Sequence, residues 1–163
     1  MADDPLNPFA AFRFLLGYPD ERHLDLFRAS GDAPATLDEL RSTYISLFEA
    51  GMPRPACPLL ESAYVLTRPP GEIVLENKLF YKHFGLEIRS DAAPDHLLTQ
   101  LEFLSWLEYR KARCTDAAID LAREDFLSRR LRPWIGKAAA LADRAEGACY
   151  AQTLRELAAA IGN

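Results

Sequence analysis

In "TLDELRSTYISLF", residues 36–48, the apolar side chains Leu37, Leu40, Tyr44, Leu47 and Phe48 return three or four positions apart. That period gathers them on one stripe of a helix, whereas a strand would scatter them over both faces. Thr36 ahead of the stripe and Glu39 three residues later complete a capping-box pattern. The same helical spacing governs almost every other segment. Alternating runs of β-branched residues are absent, and the nearest, "EIVLE" at 72–76, continues into a helical pattern. The chain is predicted to be all-α, a single-domain helical bundle of about seven to nine helices.

The remaining segments follow the same logic. A first helix is expected over about residues 8–16, closed by Gly17, and Asp20 opens a short second one. The third is expected to end at Gly51. "GMPRPACPLLESAY" then carries prolines at 53, 55 and 58, which lack a backbone donor and disfavour helix in the preceding residue, so an irregular stiff connector is predicted. Ile73, Phe80 and Phe84 share a face of the next helix, with Val74 and Tyr81 beside them, up to Gly85. "PDHLLTQLEFLSWLEY", residues 94–109, supplies a helix with Leu97, Leu101 and Leu104 as main stripe and Phe103 and Leu107 beside it. Thr115 is expected to cap a long helical region that Pro133 kinks or splits, and "GACYAQTLRELAAAIGN" gives a last amphipathic helix.

With 163 residues the chain fits one domain, 1–163, large enough for a core without metal or disulfide staples. Its net charge of −5 argues against a nucleic-acid binder that relies on phosphate neutralisation. Cys57, Cys114 and Cys149 are isolated and odd in number, and are read as reduced thiols acting as small buried hydrophobes. The acidic start is unlike a signal peptide, and no run approaches the ~20 apolar residues that span a bilayer. A cytoplasmic protein without membrane insertion is expected.

Candidate chemistry is sparse. Asp95, His96, His23 and His83 show no HxxxH or HExxH spacing, and no local signal marks a cysteine as a nucleophile. Phosphate-cradling glycine motifs are missing among the eight glycines. No catalytic residue, metal site or cofactor is therefore expected. Asp95 is read as the N-cap of the helix that follows it, and His96 as a partly buried, hydrogen-bonded histidine. The twin arginine Arg129-Arg130 is read as a solvated helix face.

"TYISLFEAG", the proline connector ending in "ESAY", "YKHFGLEIRSDAAPDHLLTQLEFLSWL" and "FLSRRLRPW" together resemble the TorD/DmsD/NarJ family of redox-enzyme maturation chaperones over roughly residues 40–135. The most specific part is the series Tyr81, Phe84-Gly85-Leu86, Pro94-Asp95-His96 and Glu102-Phe103-Leu104, in that order and helical context. The resemblance implies an all-helical cytoplasmic chaperone. Such a protein binds the catalytic subunit of a molybdopterin-containing oxidoreductase, often by its twin-arginine leader, and holds it for cofactor insertion without a covalent step.

The wording leans toward members serving type II molybdoenzymes. The resemblance carries a peptide-binding surface onto Leu47, Phe48, Leu60, Ser62, Tyr64 and the Pro94-Asp95-His96 turn. A cationic leader asks for carboxylates beside an apolar groove, which makes Glu61 and Asp95 candidate arginine partners. A monomer is expected, with a domain-swapped dimer as the alternative. Two other functions compete: a helical adaptor for a folded partner, and a small helical enzyme using Asp95 and His96 as acid and base.

Overall fold

The computed structural model describes residues 7–31, 34–145 and 147–162. The described residues form α1 Pro8–Leu15, α2 Glu21–Ser30, α3 Leu37–Tyr44, α4 Pro70–His83, α5 Leu97–Lys111, α6 Ala117–Phe126, α7 Ile135–Arg144 and α8 Ala148–Gly162. Among them there is no strand, so the all-α class holds. Wide π-type turns extend α3 over Ile45–Glu49 and α6 over Leu127–Leu131, and a 3-10 turn spans Glu61–Ala63. The chain divides into two compact units, one of residues up to Phe14 with Leu59–Trp134, the other of Leu15–Pro58 with the stretch from Ile135 onward.

The first unit packs α4, α5 and α6 around aromatic rings. Phe103 sits edge-on to Tyr81 at 5.0 Å and to Phe126 at 4.8 Å, geometries that favour ring pairs beyond simple burial. Leu97, Leu101, Leu104 and Leu107 are fully buried along α5, as their spacing predicts. Asn7 ties α1 to α5: its side-chain N–H donates to the Ser105 carbonyl at 2.9 Å while its oxygen accepts from Ala10 N. On α4 the buried face is Ile73, Asn77 and Tyr81, not the expected Ile73, Phe80 and Phe84. Phe80 and Phe84 are half-buried on its flank. Gly85, at φ 73°, ends α4 in the left-handed conformation that glycine tolerates.

The second unit is built on edge-to-face contacts of Phe48 with Tyr44 and Tyr150, at 5.1 and 5.2 Å, with Phe27 against Tyr150 at 5.4 Å. Burial pushes the Tyr44 phenol up to about 12. Asp20 caps α2 in a capping box with His23, and Thr36 caps α3 in one with Glu39, both at expected positions. At the turn into α8, a Cβ on Gly147 would lie 2.3 Å from Leu47 Cδ1, so the backbone there approaches a core side chain directly.

Two expected boundaries move, and the break at Pro133 falls where it was expected. The third helical stretch closes through Ala50 N donating to Ile45 O at 2.7 Å, before Gly51. Asp116 rather than Thr115 caps α6, accepting from Ala118 N at 2.9 Å, because a carboxylate one residue nearer reaches the first-turn N–H. Pro133 splits the long region, leaving a turn between Leu131 and Ile135. Cys57 and Cys149 are buried, whereas Cys114, just past the end of α5, is exposed. The expectation of buried thiols therefore fails at Cys114. Among the described residues, no helix is long and apolar enough to cross a membrane.

Candidate functional site at the Pro94–His96 turn

The end of the proline connector is fastened to the start of α5. Leu97 N donates to Leu59 O at 2.8 Å and Glu61 N to Asp95 O at 3.0 Å, so Leu60 and His96 face each other in an isolated antiparallel bridge. Pro94 O accepts from the Tyr81 hydroxyl at 2.8 Å. The Asp95 carboxylate, 2% exposed, accepts from Ser62 N at 3.2 Å and so satisfies a donor of the 3-10 turn. Asp95 is thus not the cap of α5. His96 is, its Nδ1 accepting from Leu98 N at 3.2 Å from an extended backbone at φ −74°, ψ 137°. The cap must be the residue next to the first turn, and Asp95 is one place too early.

An accepting Nδ1 places the His96 proton on Nε2 and requires a neutral ring. Burial acts in the same direction and holds the His96 pKa below its ordinary value, while the adjacent Asp95 charge opposes it. Asp95 and His96 each bond backbone rather than one another, which is unlike an acid–base pair.

Beneath the turn lies a buried polar network. Glu61, 1% exposed, accepts from Gln100 Nε2 at 2.7 Å, Asn77 Nδ2 at 2.8 Å and Arg130 Nη1 at 3.2 Å. Arg130 also pairs with Glu76, which is shared with Arg68. Burial raises the Glu61 pKa against these donors, and the two guanidinium groups hold Glu76 down at about 2. Arg130, expected on a solvated face, is 3% exposed. It follows Phe126 by four residues and shares its inward face, where Glu61 and Glu76 neutralise it.

His96 also borders a cavity of about 550 Å³ beside the first turns of α5. Tyr81, Phe103 and Trp106 line it as aromatic surface, and the segment 86–93 contributes Leu86 and Ile88. Its charged lining includes Glu87, with Arg13 paired to Glu102 at 3.3 Å and Arg89 to Asp91 at 2.6 Å. Both pairs are largely exposed, so each is held weakly and can exchange partners.

The structure brings together Leu60, Glu61, Ser62, Pro94, Asp95 and His96. Tyr64 stacks on Trp134 at 5.2 Å in the same unit. Glu61 does meet a guanidinium, but that of the chain's own Arg130. Leu47 and Phe48 belong to the other unit and are buried in it, 1% and 7% exposed. Leu47 O accepts from Cys57 N at 2.7 Å and so anchors the proline connector. Sequence reasoning missed Asn77, Gln100 and Arg130, although Gln100 follows His96 by four on α5. It also missed Trp106 and the 86–93 wall. Among the described residues, no three His, Cys, Asp or Glu side chains converge as a metal would require.

A family model described as nitrate reductase delta subunit matches residues 18–140. The chain belongs to that family. Among the chain's relatives, the chlorate reductase assembly chaperone protein of Ideonella dechloratans is 31% identical over 78% of the chain and 70% of the relative. The selenate reductase assembly chaperone protein of Thauera selenatis is 29% identical over the same shares. The perchlorate reductase assembly chaperone protein of Dechloromonas aromatica (strain RCB) is also 29% identical, over 61% of the chain and about half, 48%, of that protein. A crystal structure of a redox enzyme maturation protein from Archaeoglobus fulgidus superposes with TM-score 0.51 at 22% identity, covering 90% of this chain and 96% of that one, a likeness of fold. The matched stretch of the delta-subunit family contains the whole Glu61–His96 clamp and the Arg130 network.

Proposed function

We propose that this chain is a cytoplasmic assembly chaperone for a molybdopterin-containing oxidoreductase, binding the catalytic subunit and holding it while its cofactor is inserted. The reading rests on family membership, on relatives named as reductase assembly chaperones, and on the cavity at His96. No covalent step is assigned to the chain. Within this reading, Leu60, Ser62, Pro94 and His96 are the partly open residues that meet the client's leader peptide. Glu61, Asp95 and Tyr64 hold the turn, and Leu47 and Phe48 anchor the connector that leads to it.

The cavity suits a leader's chemistry. Its aromatic and aliphatic lining takes an apolar segment, and a leader arginine can bind Glu87 or displace Arg13 from Glu102 and Arg89 from Asp91. The observation that carries the reading is this apolar cavity with carboxylates at its edge, placed on the turn that the family resemblance singled out.

The test is affinity capture of the tagged chain from its native host, repeated with the captured subunit's leader deleted. Recovery of a molybdopterin-enzyme catalytic subunit, lost on leader deletion and weakened by Trp106→Ala, is the expected result. Recovery of no such subunit overturns the chaperone reading, and undiminished capture after leader deletion moves recognition to the client's body.

A further inference from the structure

Segment 86–89, which follows α4 and walls the His96 cavity, has neither helix nor turn. Exposure alternates along it: Leu86 and Ile88 are half-buried, Glu87 and Arg89 exposed. A period of two belongs to an extended chain, whose successive side chains point to opposite faces. All four residues line the cavity although their side chains diverge, so the backbone between them borders it as well.

That backbone is largely unused. Leu86 N donates to Tyr81 O at 3.0 Å, and Arg89 O accepts from Ala92 N at 3.1 Å. Between these two bonds, the N–H groups of Glu87, Ile88 and Arg89 and the carbonyls of Leu86, Glu87 and Ile88 have no partner among the described residues. In an extended chain the N–H and C=O of alternate residues point the same way. The Leu86 N–H is turned to α4, so Glu87, with both groups free, and the Arg89 N–H lie along the opposite edge. An open edge of this kind is a template for another strand. A helix bonds its backbone internally and would leave these groups unmet.

The side chains say which strand fits. Leu86 and Ile88 share the cavity with Phe103 and Trp106, whose rings stack at 6.2 Å, so residues set against them are apolar. Among the charged lining, Arg13 is paired with Glu102 and Arg89 with Asp91, whereas Glu87 enters no ion pair among the described residues. The residue directly opposite Glu87 is therefore a cation, since opposite charges across two strands attract and like charges repel.

We infer that segment 86–89 receives the client peptide by β-addition, as an extended antiparallel strand of the pattern apolar, basic, apolar. The basic residue sits opposite Glu87 and exchanges both backbone bonds with it, and the flanking apolar side chains meet Leu86, Ile88 and the rings. The inference rests on the reading of the His96 cavity as the client's peptide site, and it fixes the conformation and sequence pattern that this site selects.

The test titrates the full, isotope-labelled chain with a synthetic peptide of about nine residues that carries valine, arginine and valine between glycine and serine flanks. Amide exchange followed by NMR is expected to slow at Glu87 and Arg89 but not at Ile88, whose N–H faces away. N-methylation of the central arginine removes the donor to Glu87 O and weakens binding on the order of tenfold, whereas N-methylation of the valine after it is tolerated. Replacing that arginine by glutamate weakens binding about fivefold, and the preference reverses in Glu87→Lys, a change at an exposed position. Equal loss from either N-methylation, protection of Ile88 as strong as that of Glu87, or no binding overturns the proposal. So does protection that grows with protein concentration in the absence of peptide, because the edge is then filled by a second copy. If affinity capture recovers no reductase subunit while the peptide still protects Glu87 and Arg89, the chaperone reading fails and the specificity of the edge stands. If the captured subunit's leader binds without protecting them, the chaperone reading stands and β-addition fails.

Discussion

Arg130 Nη1 donates to Glu61 Oε1 over 3.2 Å, with both side chains at most 3% exposed. The two residues are far apart in sequence, and their pairing binds the turn before α4 to the end of α6. The bond matters less for its own strength than for what either partner becomes without the other. Arg130→Met leaves the Glu61 carboxyl buried with only amide donors and is expected to cost about 3 to 5 kcal/mol in urea unfolding. Adding Glu61→Gln recovers a large part. Burial already raises the folded Glu61 pKa above its unfolded value, so its contribution is full at acid pH and is lost as pH rises through the folded value. Removing Arg130 raises that value further, and the single variant is expected to be less damaged at pH 5 than at pH 8.

Asp95→Ala orphans the Ser62 N–H in a half-buried position. Loss of about 1 to 3 kcal/mol is expected, with faster hydrogen exchange at Ser62 and little change in total helicity. Asp95→Asn keeps an acceptor and is expected to restore most of it.

His96→Ala removes the cap of α5 and is expected to cost about 0.5 to 2 kcal/mol, whereas His96→Asn, a good cap, restores stability. If His96 also meets the client, the Asn variant stays folded and binds leader peptide weakly in calorimetry. Unchanged affinity in that variant confines His96 to holding the helix.

Acid is expected to weaken the same cap. The His96 pKa in the folded chain lies below its ordinary 6.5, so the unfolded chain takes the proton first. Its stabilising contribution is complete above the unfolded value and is lost as pH falls from there through the folded value. Thermal melts below pH 6.5 should show a smaller drop for His96→Asn than for the wild type.

Gly147→Ala drives a methyl group into Leu47 and is expected to cost about 1 to 3 kcal/mol. Pairing it with Leu47→Val should return part of the loss, measured by the denaturation midpoint.

How far the sequence reached is visible residue by residue. The caps at Asp20 and Thr36 and the buried α5 leucines follow from local rules, because each needs only neighbours within one or two turns. The PDH tripeptide lies at the turn into α5, yet the capping role falls one residue later than expected: the choice between Asp95 and His96 depends on the connector pairing with it at Leu59 and Glu61. Arg130 was open to a correct reading, since it follows Phe126 by four on an apolar face. A charged residue is assigned to solvent by default until a buried carboxylate is known, and Glu61 lies 69 positions away. The cavity wall at 86–93 carries no helical period, which leaves it invisible to the spacing that marks the helices.

The division of the chain also orders its synthesis. The first unit has all of its residues once Trp134 is made, but the second waits on the stretch from Ile135 onward. Until Tyr150 emerges, the rings of Phe27 and Phe48 lack the partner they pack on. At roughly 5 to 20 residues per second this leaves the newborn chain with a bare aromatic face for several seconds. A protein read as guarding others during assembly therefore passes through an interval in which it needs guarding itself.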